Sequence, residues 1–161
     1  MRNSMTRYTV QFFVAAAILI AYAAGAQAAP QLDGDVRVKS AYSVDESVAR
    51  MKKDIAGKGI MFFFEVDQHK LAANAGIKTQ RSTLLVFGNP PLGTQFITAN
   101  PNAGLDWPVR ILVTQDEAGD VWAVYTDFEW IKRRHAITAR DPQFKMANEV
   151  VGSITSSIKG N

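Results

Sequence analysis

The sequence predicts an α+β domain: a single mixed or antiparallel sheet of about five strands, with helices packed on one face. Three observations carry that prediction. Five short stretches rich in Val, Ile and Phe are bounded by Gly, Pro or Asp, which is the punctuation of strands. Stretches of helical spacing alternate with them. Two of the strands, residues 109–115 and 121–125, are separated only by Asp116-Glu117-Ala118-Gly119-Asp120. That hairpin loop makes at least one pair antiparallel.

The elements follow in order. Val36 to Ser40 alternates apolar and polar, the period of a half-buried strand. Ser43 and Glu46 form a capping box, and Val44, Val48, Met51 and Ile55 lie on one helical stripe. Gly57 and Gly59 end that helix. The run Ile60 to Val66 is continuously apolar up to Glu65 and reads as a central strand. Asp67 can cap a short helix, Gln68 to Ala75, closed by Gly76. Ser82 to Phe87 is the third strand, stopped by Gly88-Asn89-Pro90-Pro91, because proline has no N–H for a ladder. Gln95 to Asn100 reads as a short helix before Pro101. After the hairpin, Asp127 caps a helix running to His135. Asp141-Pro142 opens a last helix, with Phe144, Ala147, Val150, Val151, Ile154 and Ile158 on its apolar face.

The N-terminus predicts export. Arg2 and Arg7 precede an apolar run from Val10 to Ala24, and Ala26-Gln27-Ala28 fits a small-residue cleavage site. Residues 1–28 are therefore expected to be removed as a signal peptide. Residues 29–35 form a loose leader, and 36–161 form one domain. The run is shorter than a bilayer-spanning helix needs, so no membrane span is expected after cleavage, and the location is periplasmic or secreted. The whole chain has 18 Lys and Arg against 15 Asp and Glu. Without Arg2 and Arg7 the balance is 16 against 15, too even for an electrostatic case for nucleic acid. There is no cysteine. That excludes disulfides, thiol nucleophiles and cysteine-held metals or haem, and leaves the apolar core to hold the fold.

Several stretches together resemble a known family. They are Val66-Asp67-Gln68, Ala73 to Gly76, Leu84 to Pro90, Gly93-Thr94, Ala103 to Arg110, and Val124 to Asp127. In this order they are similar to the bacterial and archaeal family catalogued as domain of unknown function 302. The resemblance implies a small α+β fold with one sheet, often dimeric, and implies no reaction. Many members have His after the residue matching Asp67 and Leu-Arg-Pro before the third strand. This chain has Gln68 with His69 one place later, and Thr79-Gln80-Arg81.

The candidate ligand-binding residues are Asp67, Asn89, Gly93, Thr94, Asp106 and Arg110. They sit on three loops near which a pocket is expected, since sites are grafted on loops at sheet ends, and the sequence does not decide whether the loops converge. Exposed N–H groups at Gly93 and Thr94 suit an anion, although the prolines and glycines are also what a structural turn needs. Asp106 and Arg110 can pair with each other or with a ligand. The candidate metal ligands are the two histidines, His69 and His135. A divalent metal could use Asp67 and His69 with Asp106, and a haem could use His135. The plainer readings are a helix cap for Asp67, a solvated His69 and a helix-end His135. Trp107, Trp122, Tyr125, Phe128 and Trp130 concentrate aromatic surface in the C-terminal half, for the core or a dimer interface. No G-x-S-x-G or H-E-x-x-H is present. The leading expectation is a non-catalytic, exported homodimer that binds a small ligand or a protein partner. The alternative is a metal- or haem-dependent redox protein.

Overall fold

The computed structural model describes residues 33–160; the expected signal segment and its expected cleavage site lie outside them. Five strands form one antiparallel sheet in the order β1-β5-β4-β3-β2. The strands are β1 (Asp35–Lys39), β2 (Met61–Asp67), β3 (Ser82–Gly88), β4 (Val109–Gln115) and β5 (Val121–Thr126). The helices are α1 (Val44–Gly57), α2 (Gln68–Asn74), α3 (Pro90–Ala99), α4 (Phe128–Arg134) and α5 (Asp141–Ser156), with a 3₁₀ turn at Pro101–Leu105. The α+β class and the single sheet are as the sequence predicts.

Strand register sorts the side chains into two faces. The cross-strand row Asp67, Thr83, Val113, Ala123, Val38 faces the helices, as do Leu85 and Ile111. These meet Met51 and Ile55 of α1 and Phe144, Val151 and Ile154 of α5 in one buried cluster. The opposite face carries the row Val66, Leu84, Leu112, Val124, Arg37 and the row Ser82, Thr114, Trp122, Lys39. None of those residues belongs to the buried cluster.

Three local expectations change. β2, expected in the centre, is an edge strand. A continuous apolar run is compatible with burial on both faces, but periodicity alone does not say how many neighbours a strand has. The third helix begins at Pro90 rather than Gln95, with both prolines in its first turn, where their missing N–H groups cost nothing. The capping box at α1 is half made. Ser43 Oγ accepts from the Glu46 N–H at 3.2 Å, while the Glu46 carboxylate receives Arg50 instead.

Candidate functional site

The register separates the expected loops. Asp67 pairs with Thr83 at one end of the sheet, whereas Phe87 pairs with Val109 at the other. The Asp67–His69 turn is therefore about four residues of strand, roughly 13 Å, from the end holding Asn89–Thr94 and Asp106–Arg110. The three loops do not converge, and Asp67 with His69 does not share a site with Asp106. Asp67 caps α2, accepting from the Lys70 N–H at 2.8 Å. His69 is exposed, with Nδ1 3.0 Å from the Thr79 carbonyl. Among the described residues no group of three or more His, Cys, Asp or Glu is placed to hold a metal.

At the far end, two clusters form. In the first, the Trp107 indole lies on glycine. A Cβ on Gly93 would sit 1.8 Å from Trp107 Nε1, and one on Gly88 would sit 3.2 Å from the ring. Phe63 meets the same ring edge-on at 6.3 Å. A register shift between Phe62 and Phe64 breaks the pairing of β2 with β3 at Phe63. The Gly93 N–H donates to the Asn89 carbonyl at 2.8 Å, and the Thr94 hydroxyl donates to the Pro90 carbonyl at 2.7 Å. The Gly93 N–H and the Thr94 hydroxyl thus serve the first turn of α3, and Gly93 makes room for Trp107. Asn89 occupies the cap position without a side-chain bond.

The second cluster centres on Asp106, whose side chain is 4% exposed. The 3₁₀ turn delivers it, its N–H donating to the Ala103 carbonyl at 3.0 Å. His135, 5% exposed at the end of α4, places Nε2 2.6 Å from Asp106 Oδ2. Arg134 Nη1 donates to both carboxylate oxygens at 3.1 and 3.2 Å. Arg110 Nη2 donates to Oδ1 at 3.3 Å and to the Leu105 carbonyl at 3.0 Å. Asn100 ties the turn to α4, its Nδ2 donating to the His135 carbonyl at 2.8 Å. A buried carboxylate is tolerated because its oxygens are hydrogen-bonded and paired. His135 Nε2 is committed to Asp106, so that nitrogen is not free to ligate a metal. The sequence reading found Asp106 and Arg110, four residues apart. It does not reach Arg134 as a partner, and it offers His135 as a metal or haem ligand or a helix end rather than as a partner of Asp106, because that contact spans 29 residues.

Both guanidiniums stay about half in water, 49% exposed at Arg110 and 44% at Arg134. One carboxylate therefore gathers two permanent cations and an imidazole, and donors on both arginines remain for a further acceptor. Beside them Asp106, Val109, Arg110, Thr126, Phe128 and Ile131 line a cleft of about 20 Å³. An apolar recess next to Trp107 holds about 30 Å³. Pockets for drug-sized molecules run to roughly 300–1,000 Å³, so these two recesses admit water-sized species only.

Comparison with known proteins gives three further findings. The profile of the family described as "Domain of unknown function DUF302" matches residues 36–159. A crystal structure of an uncharacterized conserved protein DUF302 from Bacillus stearothermophilus superposes with a TM-score of 0.72. It covers 80% of this chain and all of that one at 12% identity, a likeness of fold alone. The chain is also 32% identical over 129 residues to "Fluoride-specific ion channel FluC 1" of Brucella suis biovar 1 (strain 1330), covering 80% of this chain and 51% of that protein. The match to "Fluoride-specific ion channel FluC 2" of Brucella melitensis biotype 1 is again 32%, over 48% of that protein. The chain thus spans about half the length of the curated relatives it matches.

Proposed function

Because this chain belongs to the family described as domain of unknown function DUF302, its function has to be argued from its own site, and we propose that it is an exported, homodimeric interaction domain. Its Asp106 corner presents Arg110 and Arg134 to an anionic group. The observation that supports this is the imbalance at that corner: one buried carboxylate, two half-exposed guanidiniums, and a cleft too small for an elaborate ligand. Such a corner fits a carboxylate on a partner surface or a very small anion, because a planar guanidinium offers paired donors to either.

The relatives sharpen the reading. A bilayer crossing by helix needs about 20 apolar residues. Among the described residues no helix is long and apolar enough to cross a membrane. In our reading, the channel activity named for those relatives belongs with the half that this chain does not match. The matched half is then an attached domain that works beside a membrane protein, and this chain is a free-standing version of it.

The test is a titration of the ¹⁵N-labelled protein with sodium fluoride and sodium acetate, with sodium chloride as the ionic-strength control. The expected result is a saturable movement of the Arg110 and Arg134 side-chain N–H signals, abolished in Arg110→Glu. Movement spread evenly over the surface, or identical with chloride, would reject the anionic reading.

A further inference from the structure

The bare edge of the sheet is the strongest unassigned surface. Among the described residues no strand pairs with the outer side of β2. Of the seven large apolar side chains exposed among the described residues, five come from one run of chain at this edge: Met61, Phe63 and Phe64 on β2, then Leu71 and Ile77 just after it. Phe64 is 55% exposed although it lies within a strand. An unpaired edge of this kind is a template for another strand unless something blunts it. The opposite edge is blunted: β1 alternates Asp35, Arg37 and Lys39 along its length, and Lys39 is held by Asp120 at 2.7 Å.

We infer that the β2 edges of two copies pair antiparallel about a two-fold axis near Phe64, joining the two sheets into one. This rests on the homodimer part of the reading above and names its surface. A second copy is the occupant that the charge pattern fits. An antiparallel strand that pairs with itself satisfies the same backbone groups on both sides and closes at two. Centring the pair on Glu65, Val66 or Asp67 would set carboxylates directly opposite one another, which is unfavourable. Centring it on Phe64 brings the two Phe64 rings together and sends each copy's Glu65 and Asp67 toward Phe63 and Met61 of the other. Glu65 is further neutralised by Lys52 at 2.8 Å. The bulge at Phe63 turns that ring to Trp107 and leaves Phe64 to Asp67 as the regular part of the edge. The charged β1 edges then end the joined sheet, so the assembly stops at a dimer.

The chain has no native cysteine, so Phe64→Cys supplies a single reporter thiol. The purified protein is expected to have the mass of a dimer by light scattering at tens of micromolar. Mild oxidation should link Phe64→Cys chains in pairs and leave Lys145→Cys, on α5, unlinked. Phe64→Lys should raise the dimer dissociation constant at least tenfold. A monomer at every concentration would overturn both the homodimer reading and this inference. A dimer that survives Phe64→Lys, with no link through Phe64→Cys, would keep the homodimer and reject this surface. Should Phe64→Lys fail to fold, the cross-linking pair decides alone.

Discussion

Gly93 shows how one missing methyl group fixes a corner of the molecule. It lies inside α3, where Ala is favoured over Gly by about 1 kcal/mol on helix propensity. The Trp107 ring occupies the space a Cβ would need, and overpacking of that kind costs about 1–3 kcal/mol. The clash should win, so Gly93→Ala is expected to destabilise by up to about 2 kcal/mol in urea denaturation. In a Trp107→Ala background the same change should be neutral or stabilising. Additive effects in that cycle would mean that the indole is not what keeps the position small. The sequence displayed both residues, and their partnership was hidden because they come from different elements. The Asp106 corner was half legible for the same reason. A pair four residues apart can be read from spacing, but the contacts from His135 and Arg134 exist only once α4 packs against the 3₁₀ turn.

At the scale of elements, short-range chemistry was legible and neighbour relations were not. Ser43, Asp67 and Asp127 each cap the helix assigned to them, accepting N–H groups at 3.2, 2.8 and 2.9 Å. Such bonds close within three residues, so sequence spacing decides them. The place of β2 at the edge depends instead on which strand folds beside it. The β4–β5 hairpin offers a test of a local network. The Trp122 indole N–H donates to Asp116 Oδ2 at 2.8 Å, and the Asp120 and Ala118 N–H groups donate to Oδ1. The indole bond is the largest cause holding the Asp116 carboxyl below its ordinary value of 3.8, assisted by those backbone bonds and by Lys39, and opposed by desolvation. A depressed carboxyl stabilises the folded hairpin above the ordinary value and loses that contribution as pH falls through the folded one. Tryptophan emission is therefore expected to hold steady from pH 7 to 5 and to change below about pH 4. Asp116→Asn should remove that step; a step that persists would assign it to another group.

For the whole molecule, the reading as an exported domain makes a prediction at the N-terminus. Expressed with its first 28 residues in a Gram-negative host, the protein should appear in the periplasmic fraction with Ala29 as its first residue. A membrane-bound chain beginning at Met1 would instead make the apolar run an anchor. The class and the single sheet were legible because the apolar pattern dictates which elements form, and a single layer of helices is the common way to bury one face of an antiparallel sheet. The aromatic residues of the C-terminal half serve largely as core, with Phe128 in the buried cluster and Tyr125 and Trp130 packed against it. Trp107, Trp122 and Trp130 are half-buried and Phe128 is buried, while the exposed rings belong to β2.

The pairing of β1 with β5 has a consequence in time. Asp35 meets Thr126 and Lys39 meets Trp122, so the first strand to be made finds its neighbour only after some 85 further residues have emerged. Closing so long a loop is entropically slow, and contacts this distant lower the folding rate. The sheet cannot be completed on a nascent chain that stops short of β5. A chain emerging end-first through a narrow passage would thus remain threadable until nearly all of it had crossed, and would finish folding on the far side in a single late step.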